Sequence, residues 1–142
     1  MNAENPTNQE EILNTHGRDV IDALSPWTKW QYDEYHQAML AEFSVDKEAQ
    51  VKLALGQVLP VIWDAKTIKN APEEIKHLAG PFSKLVKKQQ LLSIEPEKNP
   101  QVMVAWWPWG HGATISVRLF LVNSSPYVEK KGLLHKLKQI FG

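Results

Sequence analysis

Residues 102–122 alternate with a period of two, and this pattern constrains the fold more than any other feature of the chain. Both faces of its first half, up to Trp107, are apolar, which is typical of a central strand. Its second half has one polar face, which we expect to meet water, formed by Thr114, Ser116 and Arg118. Pro108 cannot donate to a strand ladder, and two glycines come after it, so the segment predicts an antiparallel hairpin.

The hairpin tip reads WWPWGHG and holds three of the six tryptophans. Neighbouring residues of a strand point to opposite faces, so a one-sided core would bury only one of Trp106 and Trp107. The other would contact a second helix layer, another subunit or a ligand. Trp109 follows the proline, and we expect it to be the most exposed of the three. Because indole rings dominate recognition hot spots, we predict a binding surface that comprises Trp106, Trp107, Trp109, His111 and Arg118.

The chain before residue 44 predicts a helical front. The capping-box spacing of Thr7 and Glu10 indicates a short helix that ends at Gly17, after a disordered tail over residues 1–7. A serine–proline pair then predicts a second helix over residues 26–43. One face of this second helix would hold Trp27, Trp30, Met39 and Phe43.

The middle of the chain is ambiguous because its apolar residues fit two periods. We favour a helix over about 46–60 that is capped by Ser44, although part of it also alternates as a strand would. A further helix is expected to start at Pro72, and the Gly-Pro pair at 80–81 divides this helical region into two short helices. Residues 91–96 are strand-like.

Together these elements predict a single α+β domain over residues 1–142. It would have a helical N-terminal half, a small antiparallel sheet of about three strands that includes the 102–122 hairpin, and a C-terminal amphipathic helix over 133–141. Such a helix docks on a partner, lies on an anionic membrane or packs on its own sheet. Its apolar stripe is flanked by Lys130, Lys131, Lys136 and Lys138.

Composition removes several classes of protein. The 142 residues include no cysteine, which excludes disulfides, thiolate metal sites and a cysteine nucleophile. The start of the chain lacks the order of a secretory signal, and no apolar run is long enough to span a membrane, so we expect a cytoplasmic protein without a transmembrane segment.

The net charge of zero conceals an uneven distribution. Residues 1–65 carry 4 basic and 11 acidic side chains, whereas residues 66–142 carry 12 basic and 5 acidic ones. Such a split is typical of a basic face for an anionic partner, or of an acidic half that neutralises the basic half within the fold or across an oligomer. We favour neutralisation, because the basic residues are nearly all lysine and are spread over several elements.

No catalytic or metal-binding constellation is evident. The five histidines give no pair at i and i+4, and Asp33 with His36 would need a second such pair for a di-metal site, so we predict no metal and no cofactor. His111 lies between two glycines and has the chemistry of a general base, yet no serine elbow or carboxylate pair can be assigned to it. We therefore predict no catalytic residue and favour a non-enzymatic protein.

These observations favour a small accessory protein that binds a protein partner, or a second copy of itself, through the aromatic hairpin and the basic C-terminal helix. One alternative is a winged-helix-like protein that binds nucleic acid through Lys84, Lys87 and Lys88 on a recognition helix, although the hairpin tip has no basic residue for a wing. The other alternative is a small-ligand-binding protein or an enzyme with its site near His111.

Overall fold

The computed structural model describes the backbone of residues 4–125 and the side chains from Gln9 onward, and this part forms one antiparallel sheet with helices on both faces. Its strands are β1 (Gln31–Asp33), β2 (Ala38–Ser44), β3 (Val61–Asp64), β4 (Gln90–Ser93), β5 (Val102–Pro108) and β6 (Thr114–Leu121). Its α-helices are α1 (Glu4–His16), α2 (Arg18–Leu24), α3 (Glu48–Val58) and α4 (Glu73–Ala79). Single 3-10 turns occur at Val45–Lys47, Thr67–Asn70, Gly80–Ser83 and Pro96–Lys98.

The six strands of the described chain are ordered β1-β2-β6-β5-β4-β3. Strand β5 lies between β6 and β4, and the hairpin predicted over 102–122 is present as β5 and β6. The apolar residues of β5 are buried on both faces up to Trp106, as the sequence indicates for a central strand.

Two hydrophobic cores lie on opposite faces of the sheet. The first core packs beneath α1, α2 and α3, and its largest buried side chains include Leu13, Leu24, Leu55, Trp106, Ile115 and Leu119. The second core packs beneath α4 and the 3-10 turn at 67–70, and it includes Ile68, Ile75, Leu91, Met103 and Phe120. A strand whose side chains are apolar on both faces can therefore bury those of one face in the first core and those of the other face in the second core.

The prediction of about three strands behind a helical front is wrong. Residues 26–43 do not form a helix; β1 and most of β2 occupy this region, and β2 pairs with β6 from Ala38↔Phe120 to Ser44↔Thr114. The spacing of Met39 and Phe43 fits a helical stripe and a strand equally well. Pairing with β6 decides between them, because it buries Met39, Ala41 and Phe43 in the first core while Glu42 stays exposed.

Other elements agree with the sequence to different extents. Helix α3 follows a 3-10 turn whose Asp46 backbone N–H donates to the Ser44 side chain, and it ends before Pro60 as predicted. Helix α1 begins at Glu4, so Thr7 lies inside it and does not cap it. Strand β3, directly after Pro60, was missed because its four residues are too few for a periodic signal.

The described residues do not form the winged-helix architecture. Between Gly80–Ser83 and β4, residues 84–89 contain a turn and no helix, so Lys84, Lys87 and Lys88 do not lie on a recognition helix. The predicted C-terminal helix over 133–141, with its lysines, lies outside the described residues. Among helices of the described part, none combines the length and apolar character needed to cross a bilayer.

Two glycine substitutions test the packing between α1, α2 and β6. A Cβ at Gly17 would lie 2.9 Å from the Leu13 carbonyl oxygen and would overlap the buried Leu119 side chain. Gly17→Ala is therefore expected to lower the free energy of unfolding by about 1–3 kcal/mol, measured by urea denaturation. Gly56→Ala is the control: position 56 lies within α3 with nothing near its Cβ, so stability should rise by about 0.5–1 kcal/mol. Equal responses at the two positions would contradict this packing.

Candidate functional site

An open groove of about 530 Å³ lies where the start of α3, the turn before β4 and the tip of the β5–β6 hairpin meet. We call it the lysine–tryptophan groove, and it is defined by Lys52, Lys87, Lys88, Trp106 and Trp109. These residues come from three separate segments of the chain, and the fold alone brings them together.

The floor of the groove is formed by Trp106 and Lys52. Trp106 is 1% exposed, and Gln90 lies beside it because the two residues pair between β4 and β5. The Lys52 ammonium sits 4.3 Å from the centroid of the Trp106 ring and donates a hydrogen bond to Gln90 Oε1. Burial lowers the pKa of Lys52, and Glu48 opposes this change only in part.

The rim of the groove is formed by the hairpin tip. The Trp109 backbone N–H donates to the Thr114 carbonyl at 2.9 Å, and the Gly112 N–H donates to the Trp109 carbonyl at 3.0 Å. Gly112 has φ +82°, a conformation that favours glycine. His111 Nδ1 accepts from the Ala113 N–H at 3.0 Å. This tight turn leaves 44% of Trp109 exposed, so a fixed backbone presents the indole to solvent.

Lys87 and Lys88, from the turn before β4, also line the groove, and both are exposed. Lys88 has φ +73°, in the left-handed region of the backbone that residues other than glycine and asparagine rarely adopt. Strained backbone of this kind is concentrated at functional sites. Here it places a lysine beside the groove.

A second polar cluster lies on the other face of the sheet. Asp33 Oδ2 accepts hydrogen bonds from His36 Nδ1 at 2.7 Å and from Arg118 Nε at 3.2 Å. The Arg118 guanidinium lies 4.5 Å from the centroid of the Trp107 ring, and its Nη1 donates to Ser116 Oγ at 3.4 Å. The polar face expected to meet water is therefore largely covered: Ser116 is buried and the Arg118 side chain is only 15% exposed.

The Asp33 carboxyl holds this cluster together. Its burial by itself would raise its pKa, but the hydrogen bonds from His36 and Arg118 outweigh that effect, and the pKa lies below its usual value. Within the described residues, no group of three or more His, Asp or Glu side chains is arranged to hold a metal ion, so no third candidate ligand accompanies Asp33 and His36. The cluster acts as a clamp between β1 and β6.

The structure divides the residues that the sequence singled out. Trp106 and Trp109 enter the groove, and so do Lys87 and Lys88 from the alternative nucleic-acid surface. Trp107 and Arg118 lie on the opposite face, and Lys84 does not line the groove. His111 lies beside Trp109, with a ring-centroid distance of 5.3 Å, and within residues 9–125 its ring bonds to a backbone amide and to no carboxylate or hydroxyl.

Sequence reasoning missed Lys52, Glu48 and Gln90 as groove residues. No local pattern marks them, because Lys52 is one polar residue among several on α3 and Gln90 gains its position only through strand pairing.

Comparison with family models, with curated protein sequences and with solved structures gave no match to this chain. The geometry of the groove is therefore the basis on which a function can be assigned.

The clamp predicts a dependence of stability on pH. Asp33→Asn is expected to lower the free energy of unfolding by about 1–3 kcal/mol near neutral pH, because it replaces an anion that receives three charge-assisted hydrogen bonds, from His36 Nδ1, the His36 backbone N–H and Arg118 Nε. Because folding lowers the pKa, the stabilisation is complete above the pKa of the unfolded chain and is lost as the pH falls through the folded value. Urea denaturation between neutral pH and about pH 3 measures both effects.

The control for this experiment is Asp22→Asn. Asp22 pairs with Arg18 on the surface, where its side chain is 66% exposed, and such pairs contribute little. If Asp33→Asn and Asp22→Asn gave the same stability and the same pH profile, the clamp would have no energetic role.

The strain at Lys88 gives a separate test. Lys88→Gly is expected to raise the free energy of unfolding by up to about 1 kcal/mol, since glycine adopts a positive φ without steric penalty. Lys87→Gly removes the same side chain type at the preceding position, where φ is not positive, and should lower stability by about 0.5–1 kcal/mol. Thermal and urea unfolding of both variants should show changes in stability of opposite sign. A loss of stability in both variants would contradict backbone strain at Lys88.

Proposed function

We propose that this chain is a non-enzymatic accessory protein whose lysine–tryptophan groove docks an acidic segment of a partner protein. The observation that carries the proposal is the convergence of an exposed indole and three lysines on one concave surface. Surface lysines and surface tryptophans occur singly in many proteins, whereas their meeting in a groove provides both an apolar anchor and a charge preference.

The charges favour an acidic ligand. The groove is lined by three lysines and one carboxylate, that of Glu48. Lysines at the rim select the sign of the partner and accelerate its approach, while contributing modestly to affinity. Lys52 is half-buried and has no ion pair with any residue between 9 and 125. A carboxylate that reached the floor would therefore meet an unpaired ammonium.

Trp109 supplies the apolar anchor. The turn fixes its backbone through the bonds to Thr114 and Gly112, so that little conformational entropy is lost when a partner covers the ring. An indole on a preformed surface buries a large area and still offers its N–H as a donor. The exposed Trp109 indole and the groove lysines together fit an acidic segment that carries an apolar or aromatic residue.

A nucleic acid would also use lysines and an aromatic ring. The described surface favours a protein segment, however, because the groove holds a carboxylate and no arginine, and Arg118 is committed to Asp33 on the other face. The chain has no net charge to attract a long polyanion. A second copy of the chain, whose N-terminal half is acidic, is one source of such a segment.

Selection from a display library of short random peptides tests the proposal. The wild-type protein should enrich peptides rich in aspartate and glutamate with an aromatic residue, and Trp109→Ala should weaken the selected peptides by about tenfold or more. The double variant Lys87→Glu/Lys88→Glu should weaken them similarly. The matched control is Lys29→Glu/Lys98→Glu, which changes net charge equally at residues that do not line the groove, and it should bind normally.

Three results would overturn the proposal. Selection of peptides with no acidic bias would do so, and so would equal losses in the groove variants and the control. Oligothymidylate that bound more tightly than any selected peptide, and that was lost in the same groove variants, would instead assign the groove to nucleic acid. Light scattering of the protein alone shows whether a second copy associates with it.

A further inference from the structure

The amine of Lys52 has unusual surroundings for a lysine. It lies half-buried at the floor of the lysine–tryptophan groove, over the Trp106 ring, and its one hydrogen bond within residues 9–125 goes to the neutral side chain of Gln90. No carboxylate in the same residues approaches within ion-pair distance. Two further lysines, Lys87 and Lys88, line the same groove.

We propose that Lys52 is a reactive amine that forms an imine with small aldehydes carrying a phosphate or carboxylate group. Desolvation is one device by which proteins make a lysine nucleophilic at neutral pH. It is present here, because Lys52 is half-buried over the Trp106 ring, and burial lowers the pKa of Lys52 in the direction that the chemistry requires. This inference concerns the chain alone and does not depend on a protein partner.

The step balances without any external oxidant or reductant. The ammonium of Lys52 first releases a proton to solvent. Its nitrogen lone pair then attacks the aldehyde carbon, a C–N bond forms, and the carbonyl oxygen becomes a hydroxyl by taking a proton. Loss of this hydroxyl with a further proton releases one water and leaves the C=N bond. Gln90 Oε1 accepts an N–H of the amine, which orients the nitrogen in the groove.

The anionic group of the aldehyde gives the reaction its selectivity. A small ligand whose carbonyl carbon lies at Lys52 shares the groove with two other cations, Lys87 and Lys88, which also line it. Two lysines attract a phosphate or carboxylate and repel a cation, whereas a neutral aldehyde gains nothing from them. The exposed face of Trp109 supplies an apolar surface for an aromatic or alkyl portion.

Labelling with pyridoxal 5′-phosphate tests the inference. The imine is trapped with borohydride, which adds hydride to the imine carbon, and the modified lysines are mapped by peptide mass spectrometry over a series of short times. Lys52 is expected to be labelled several-fold faster than Lys29, an exposed lysine that does not line the groove. Pyridoxal, which lacks the phosphate, should label Lys52 about fivefold more slowly. This difference should disappear in Lys87→Ala/Lys88→Ala.

The outcomes separate cleanly. Labelling of Lys52 no faster than Lys29 in the wild-type protein would overturn the inference, whether or not any variant folds. Equal rates for the two aldehydes would overturn the preference for an anionic ligand. Because the protein is labelled without a partner, rapid reaction at Lys52 combined with no peptide selection would refute the docking proposal and leave the reactive amine standing.

Discussion

Strand β5 is the constraint on which the rest of the structure depends. Its residues are apolar at every position from Val102 to Trp107, so both faces of the strand must be removed from water. One helix layer cannot cover both faces. The chain therefore places α1, α2 and α3 over one side and α4 with its neighbouring turn over the other. Strands β6, β2 and β1 lie on one side of β5 and strands β4 and β3 on the other, so the sheet offers each helix layer a face to pack against.

This arrangement also separates the two adjacent tryptophans. Trp106 enters the first core and forms the floor of the groove, while Trp107 packs against the second core and supports Arg118. The opposition of their faces follows from strand geometry and could be predicted. Of the three contacts expected for the second indole, which were a second helix layer, another subunit or a ligand, the structure forms the first.

Elements decided by local signals could be predicted from the sequence, and elements decided by pairing could not. The Ser44 cap, the stop before Pro60 and the hairpin at 102–122 each depend on residues close in the chain. Strand β2 depends on pairing with β6, from Ala38↔Phe120 to Ser44↔Thr114, and this long-range pairing overrides a plausible helical stripe. The groove cannot be predicted from the sequence for the same reason, since Lys52, Lys88 and Trp109 line one groove only when α3 packs on the sheet and β4 pairs with β5.

The ion pairs show how the acidic and basic halves of the chain interact in the fold. Within residues 9–125, the pair Asp33–Arg118 joins the acidic half of the chain to the basic half, whereas pairs such as Lys76–Glu73 and Lys98–Glu95 are local. One ion pair in this part of the fold therefore joins the two halves. Positive charge remains at the groove rim while the long-range field of the molecule stays weak, because the net charge is zero. A ligand of the kind that we propose would be selected at short range by such a surface, and short range is where an anchored indole and a half-buried amine have the largest effect.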